Sequence, residues 1–239
     1  MIDPTTAFRF RPIGVVRSPY REKFAVPRQP GLVPAARGEL HLIGQYNREE
    51  ILRGLSGFSH LWLTFVFHQV MGENWSPTVR PPRLGGNRRL GVFATRSPYR
   101  PNPIGLSAVR LVNIGRRGQQ WVLTLTGIDL VDGTPVLDIK PYIPYADAIA
   151  DASGGFTEDL SMPPAKVEFS PESREQLACH SDAYPDLETL IRQVIGQHPQ
   201  PGYQRSPAAS RIYGMYLHRF NIRFRATDTG YQVVSIDDA

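Results

Sequence analysis

The chain has 239 residues, of which 41% are hydrophobic, enough for one large core and a smaller satellite unit. Its 27 basic and 22 acidic residues give a formal charge of +5, which favours a polyanionic partner. The single cysteine, Cys179, excludes an intramolecular disulfide and a cysteine-based zinc cluster. No hydrophobic run is long enough for a membrane span or typical of a signal peptide, so we expect a cytoplasmic protein.

The first 145 residues contain short apolar segments that are separated by glycine and proline, a pattern typical of β structure. We predict strands at residues 13–17, 38–42, 59–68, 90–95, 105–114, 120–129 and 136–142. One short helix is predicted between them, with Asn47 as N-cap, Glu49 and Glu50 in the first turn and Gly54 at its end. Alternating βαβ units and a G-x-G-x-x-G sequence are both missing, so the pattern favours a closed or strongly curved sheet over a Rossmann fold.

A smaller α+β unit is predicted to follow. The boundaries that we expect are a β domain at residues 1–147, a linker at 148–164 and a C-terminal domain at 165–239. In the last of these, residues 166–169 are predicted as a strand, and Ser170 and Pro171 as the start of a helix. A second helix is predicted at 187–195 and a terminal hairpin at 222–226 and 231–236.

Basic residues without nearby acids mark two regions of the chain. Between Asn74 and Ile128 there are nine arginines and no acid, although the overall composition would place about five acids there. Residues 189–227 also lack acids and interleave arginines with aromatic residues, as single-stranded or loop RNA requires. A solvated face over an aromatic core explains this second region equally well. If it binds RNA, the candidate residues are Tyr203, Arg205, Arg211, Tyr216 and Arg219.

The pentapeptide RSPYR occurs twice, at 17–21 and 96–100, and each copy follows a predicted strand. We predict that both copies lie around one pocket. The loop at 24–31, the polar pair His68-Gln69 after an apolar strand, and the segment 132–142 are predicted to complete it. Simple structural roles remain open: a plain turn at 132–133, a core histidine at His68, and a same-face strand pair for Asp138 and Lys140. The six histidines have no metal-ligand spacing, so no metal is expected.

Five segments together resemble the TsaA-like family. They are GVVRSPY at 14–20, AVPRQPG at 25–31, GFSHLW at 57–62, RSPYRPNPIG at 96–105 and DGTPVLDIKPY at 132–142. The resemblance covers residues 8–147 in order, and the remainder resembles the C-terminal extension of the bacterial members more loosely. It implies a single-sheet, β-barrel-like methyltransferase that acts as a homodimer and uses S-adenosyl-L-methionine. The implied substrate is N6-threonylcarbamoyladenosine at position 37 of threonine tRNA, in the anticodon stem-loop, and the implied product is its N6-methyl derivative.

The resemblance also implies which residues contact the methyl donor. Carried onto this sequence, these contacts are Pro27, Arg28, Gln29, His68, Gln69, Arg96, Leu106, Gly133, Thr134, Pro135 and Val136.

The N6 of a ureido-substituted adenine is a poor nucleophile until its proton leaves, so an acceptor for that proton is needed. Asp138 is the first candidate, with Lys140 orienting it, and Tyr145 and His68 are weaker ones. Arg100 and Asn102 are the candidate substrate contacts of the proline-rich loop. A non-catalytic RNA-binding protein that senses S-adenosyl-L-methionine, and a methyltransferase with a different acceptor, are the alternative functions.

Overall fold

The structure, a computed structural model, describes residue 3 and residues 6–81, 84, 88–160, 163–199 and 211–239. The strands in these residues are β1 (Gly14–Arg17), β2 (Arg37–Leu42), β3 (His60–Val66), β4 (Thr78–Val79), β5 (Leu90–Gly91), β6 (Ile104–Arg117), β7 (Gln120–Thr126), β8 (Pro135–Pro141), β9 (Lys166–Phe169), β10 (Ile212–Leu217), β11 (Phe220–Thr227) and β12 (Gly230–Asp238). The helices are α1 (Pro144–Asp147), α2 (Pro171–His180) and α3 (Leu187–Gly196). In the ranges that the structure describes, no helix is long and apolar enough to cross a membrane.

Six antiparallel strands form the main sheet in the order β1-β2-β7-β6-β3-β8. The order is cyclic, because Gly14 and Val15 of β1 also pair with Val136 and Pro135 of β8. Alternate residues of β3 are buried, as the sequence alternation requires of a strand with one face on a core. The predicted mainly β unit built on a single sheet, without a Rossmann fold, is therefore confirmed.

Two predicted elements of this unit are wrong. The helix predicted after Asn47 is replaced by two short 3₁₀ turns, at Glu50–Leu52 and Leu55–Gly57, and a third turn at Gly44–Tyr46 precedes Asn47. The Asn47 side chain does not cap a helix, because it bonds to the β6–β7 hairpin: its Nδ2 donates to the Gln119 carbonyl of the turn at 3.0 Å, and its Oδ1 accepts from the Trp121 amide of β7 at 2.7 Å. The strand predicted at 90–95 is only β5, and a 3₁₀ turn at Val92–Ala94 follows, closed by a bond from the Thr95 hydroxyl to the Val92 carbonyl.

The C-terminal region has a four-stranded sheet in the order β10-β11-β12-β9, with α2 and α3 packed beside it. The predicted cap of α2 is present, since the Ser170 hydroxyl accepts from the Ser173 amide at 3.1 Å and Pro171 opens the helix. The terminal hairpin is confirmed, but it is longer than predicted and β10 adds a third strand. A smaller α+β unit at the C-terminus is therefore present.

The two sheets share one hydrophobic core. Tyr20, which follows β1, is fully buried and forms a bridge with Leu217 of β10. The amide of Ala35 donates to Gln193 of α3 at 2.8 Å. Buried residues of both regions belong to one continuous cluster. The C-terminal region therefore supports the loops at the end of the main sheet where β1 finishes.

Gly105 of β6 is predicted to be intolerant of any side chain. It lies opposite Phe65 of β3, and an added Cβ atom would overlap the Phe65 ring. Gly105→Ala is expected to lower the free energy of unfolding by about 1–3 kcal/mol through overpacking. Denaturant unfolding will measure this loss.

Gly57→Ala is the matched control, because no atom lies within 4 Å of its added Cβ. Its free energy of unfolding should stay close to that of the wild type. Phe65→Leu should recover part of the loss in the Gly105→Ala background, since the ring that causes the overlap is then gone. If Gly105→Ala alone has the denaturation midpoint of the wild type, the start of β6 moves to avoid the overlap without a loss of stability.

Candidate active site

Three loops converge at one end of the main sheet, where β1, β3 and β7 finish and β2, β6 and β8 begin. They span residues 18–36, the described residues of 67–103, which include the short strands β4 and β5, and residues 127–134. Eight of the eleven predicted donor contacts lie in these loops, and Leu106, Pro135 and Val136 lie in the first residues of β6 and β8. The antiparallel topology thus brings together segments that are more than 100 residues apart in the chain.

Side chains tie these loops to one another. The Arg96 guanidinium donates a hydrogen bond to the Gln29 side-chain oxygen. Lys23 donates to the Gln69 carbonyl at 3.3 Å, and its ammonium also lies 5.8 Å from the centre of the Tyr99 ring. Predicted donor contacts from the first and second loops therefore meet directly at Gln29 and Arg96.

His68 is partly buried in a short 3₁₀ turn, His68–Val70, that follows β3. Burial lowers the pKa of its imidazole, and the positive charge of Lys23 lowers it further. The ring is therefore neutral at pH 7. A neutral imidazole does not repel a sulfonium cation, and Arg96 offers a cation for a carboxylate, so these side chains fit a ligand that carries both groups.

The two RSPYR copies do not have the same role. In the first copy, Arg17 pairs with Asp132 at 3.4 Å, the Ser18 amide donates to the same carboxylate at 3.0 Å, and Tyr20 is fully buried. In the second copy, the Tyr99 ring is 40% exposed and Arg100 donates to the Thr95 carbonyl at 3.5 Å. The first copy holds the 130–134 turn in place, while the second presents its ring to solvent.

The turn before β8 is held by its own backbone. Gly133 adopts a φ of +80°, which favours glycine, and its amide donates to the Val16 carbonyl at 2.9 Å. The side chains of Thr134 and Val136 are buried, and the Thr134 hydroxyl donates to the Val131 carbonyl at 2.6 Å. These two side chains therefore stabilise the turn from inside.

Asp138 lies on the less buried face of β8. It is opposite Thr64 of β3, which is itself opposite Leu106 of β6, so the three side chains form one row across the sheet. Neighbouring strands are about 4.8 Å apart, which places Asp138 about 10 Å from Leu106. Its carboxylate is 47% exposed and forms an ion pair with Lys140.

The structure does not bring Tyr145 to the loop end of this chain. Tyr145 lies in α1, which follows the opposite end of β8, and it is 92% exposed.

Three of the predicted RNA-binding residues lie on or beside β10 and β11. Tyr216 is near the loop end, since its amide donates to the Glu22 carboxylate at 3.2 Å. Arg219 pairs with Asp238 at 3.0 Å, and Arg211 lies over the Tyr213 ring. The turn between the two strands packs against the first loop, with the His218 amide donating to the Pro19 carbonyl at 2.7 Å. Tyr203 and Arg205 lie outside the described residues.

Sequence reasoning missed a polar pair near Arg96, in which Ser107 is buried and Asp129 is partly buried. Asp129 accepts a hydrogen bond of 2.6 Å from the hydroxyl of Ser107, which is 1% exposed. Burial raises the pKa of Asp129 to about 6, although the Ser107 bond and the charge of Arg96 act in the opposite direction. The Tyr20 hydroxyl is also buried, with no hydrogen-bond partner among the described residues. The only signal in the sequence is a lone acid in the apolar run 127–131.

Comparisons with known proteins decide the family. Residues 15–148 match the model of the tRNA-methyltransferase O N-terminal domain, and residues 162–239 match that of the TrmO C-terminal domain. The chain belongs to the tRNA-methyltransferase O family. The resemblance of the five motifs is thereby confirmed.

Relatives of this family cover nearly the whole chain. The tRNA (adenine(37)-N6)-methyltransferase of Escherichia coli K12 is 51% identical over 97% of this chain and 99% of its own length. A Pseudomonas aeruginosa protein named as a putative S-adenosylmethionine-dependent methyltransferase, RcsF, is 50% identical over 89% of this chain and 90% of its own length. The crystal structure of TrmO from P. aeruginosa superposes with a TM-score of 0.79 at 40% identity, and covers 98% of both chains. The fold described above is therefore that of TrmO.

Asp129 should make the stability of this family member depend on pH. Its pKa is raised from 3.8, so the protonated form is favoured in the folded state. The resulting stabilisation is complete below pH 4 and is lost as the pH rises through about 6. Asp129→Asn keeps an acceptor for Ser107 and removes the charge. It is expected to unfold like the wild type near pH 4, and to be more stable than the wild type by about 1–3 kcal/mol at pH 7.5.

Urea unfolding at pH 4, 5, 6 and 7.5 measures this difference between the two proteins. Asp182→Asn, a change of the same kind at an exposed residue, is the control and should show no such trend. If the difference in unfolding free energy between Asp129→Asn and the wild type is the same at every pH, burial does not raise the pKa of Asp129 in the folded protein.

Proposed function

We propose that this protein transfers a methyl group from S-adenosyl-L-methionine to N6 of adenine 37 in tRNA, and that its preferred acceptor is N6-threonylcarbamoyladenosine in threonine tRNA. The single observation that carries this proposal is the 51% identity, over nearly the whole chain, to a tRNA (adenine(37)-N6)-methyltransferase. The convergence of three motif-bearing loops at one end of the sheet supports it.

The donor site that we propose lies between these loops. S-adenosyl-L-methionine, when bound, supplies an electrophilic methyl group on a positively charged sulfur. Arg96, which Gln29 orients, would hold the donor's carboxylate, and the neutral His68 would lie beside it without opposing the sulfonium charge. The remaining proposed contacts are those made by Pro27, Arg28, Gln69, Leu106, Gly133, Thr134, Pro135 and Val136; for Thr134 and Val136, whose side chains are buried, the main chain is the available partner.

Catalysis in this site requires that the methyl group and the acceptor nitrogen are held close together and that the N6 proton is removed. Loops that are stiffened by proline hold the reacting atoms at a fixed separation, which lowers the activation barrier for methyl transfer by roughly several kcal/mol. We assign Asp138 as the acceptor of the N6 proton and Lys140 as the residue that orients it. Tyr145 could serve the site of this chain only as a residue of a second copy, because it lies at the opposite end of β8.

A homodimer is part of the proposal. The outward face of β6 exposes Ile104, Leu106 and Val112 by 41%, 55% and 51%, which leaves apolar surface for a second copy to cover. Leu106 is also a proposed donor contact, so the donor would lie close to that interface. The cyclic main sheet would serve as the barrel-like scaffold of each subunit.

The same proposal assigns the C-terminal region to the tRNA. Arg211, Tyr216 and Arg219, with Tyr203 and Arg205, would contact the anticodon stem-loop through stacking and phosphate contacts. The division into residues 1–147, 148–164 and 165–239 follows the two sheets, but the shared core means that the parts are not independent. A cytoplasmic location accords with a tRNA substrate.

The test is methyl transfer from labelled S-adenosyl-L-methionine to threonine tRNA, with and without the threonylcarbamoyl group, followed by mass analysis of the nucleosides. We expect label on the threonylcarbamoylated nucleoside alone. Label on both tRNAs would retain the methyltransferase and remove the proposed preference. If both tRNAs bind tightly and neither is labelled, the methyltransferase assignment fails.

A further inference from the structure

A cavity of about 210 Å³ lies next to the proposed donor site, between residues 70–75 and 98–103. One wall follows the turn that carries His68, and the other is the second RSPYR copy with the proline-rich residues after it. The walls are joined where the Phe67 amide donates to the Pro103 carbonyl at 2.8 Å. The cavity is therefore a direct continuation of the loops that hold Gln69 and Arg96.

Flat and apolar surface is exposed in this cavity. The side chains of Met71, Trp75 and Tyr99 are 64%, 53% and 40% exposed, although a folded chain usually covers such groups. Pro98 and Pro101 limit the backbone conformations of the wall that carries Tyr99. Exposed rings on a stiff frame are what proteins use to stack unpaired bases of RNA.

The charges around the cavity also suit RNA. Arg100 belongs to the lining, and the Lys23 ammonium lies 5.8 Å from the centre of the Tyr99 ring. Glu73 is the one acid of the lining, and no further acid follows it before Asp129. A carboxylate next to aromatic rings can accept a hydrogen bond from the edge of a base, while the surrounding cations attract the phosphates.

We propose that this cavity receives the adenine that is to be methylated, turned out of the anticodon loop, with its ring against Trp75 and Tyr99. The inference rests on the proposed function and adds the position of the acceptor. An enzyme that modifies a base must take it out of the stack, and the base must then lie beside the donor. The cavity is open to a base and borders the residues that we assign to the donor.

The test uses anticodon stem-loop RNA in which 2-aminopurine replaces one base, at position 37 or at either neighbouring position. This fluorescent base lacks the N6 amine, so its signal reports binding without turnover. With the wild type, emission from position 37 should be quenched by stacking, and emission from the neighbouring positions should change less. Trp75→Leu should abolish most of that quenching, whereas Trp75→Phe should retain part of it.

Turnover gives the second readout. Trp75→Leu and Tyr99→Leu should each lower kcat/KM for the RNA about 5- to 150-fold, the range expected for loss of one base–ring stack, with an unchanged Kd for S-adenosyl-L-methionine. Phe8→Leu, at a ring that is 65% exposed outside the cavity, is the matched control. Stronger quenching at a neighbouring position, or normal quenching with Trp75→Leu, would overturn the proposal. A wild type that shows the quenching but transfers no methyl group would refute the proposed function alone.

Discussion

Arg96→Ala is expected to lower kcat/KM for methyl transfer by about 100-fold, because a hydrogen bond between charged groups is worth about 1.5–3 kcal/mol. Arg96 is the point where the second loop meets the first, through its bond to Gln29. It also lies within electrostatic range of Asp129, so its removal takes away the positive charge that favours the ionised form of that partly buried carboxylate. The variant should lose donor affinity as well as activity.

Donor binding by isothermal titration calorimetry and initial rates with saturating tRNA will separate these effects. Arg96→Lys keeps the charge but not the planar, two-pronged donor, so it should recover only a small part of the loss. Arg53→Ala removes an arginine that is exposed on a 3₁₀ turn between β2 and β3, and should behave like the wild type. Full activity of Arg96→Ala would remove Arg96 from the donor site.

Much of the main sheet could be predicted because its strands are long enough for alternation to be visible. Six of the seven predicted N-terminal strands correspond to β1, β2, β3, β6, β7 and β8. The seventh was wrong because residues 90–95 pair over only two residues before the chain turns. The composition of this segment favours a strand, but among the described residues the pairing of β5 with β4 ends at Gly91.

The helix predicted after Asn47 failed for a different reason. The residue types are those of a helix start, but the Asn47 side chain bonds to the turn between β6 and β7, more than 70 residues away. A distant partner of this kind cannot be read from local sequence. The same limit explains why Tyr20 looked like a pocket residue, although contact with β10 buries it completely.

The site could be predicted in part. The motifs located the three loops, since polar residues that follow strands stand out in the sequence, and the antiparallel topology then brings them together. The Asp129–Ser107 pair was not visible, because its importance lies in burial and in a contact between β6 and the loop after β7. Burial of a lone acid depends on the whole fold, so it could be found only in the structure.

Asp138→Asn is expected to lower kcat by about 100-fold or more, the range of a lost general base, with little change in the Kd of either substrate. The variant keeps the size of the side chain and an oxygen that can accept from Lys140, but it cannot take up the N6 proton. Single-turnover rates with saturating donor and threonylcarbamoylated tRNA measure this step without product release.

Three further variants separate Asp138 from other carboxylates and from its partner. Glu73→Gln tests the acid of the base cavity, and Asp129→Asn tests the buried acid. If Asp138 is the base, neither should reproduce the loss in single-turnover rate.

Lys140→Met should lower the single-turnover rate by less than about fivefold, because an exposed ion pair contributes at most about 1 kcal/mol. Since Asp138 lies about 10 Å from Leu106 along one row of the sheet, its role as proton acceptor requires that N6 of the base held against Trp75 and Tyr99 extends over the outer face of β3. Full turnover of Asp138→Asn together with a large loss in Glu73→Gln would move the proton acceptor into the cavity of Trp75 and Tyr99.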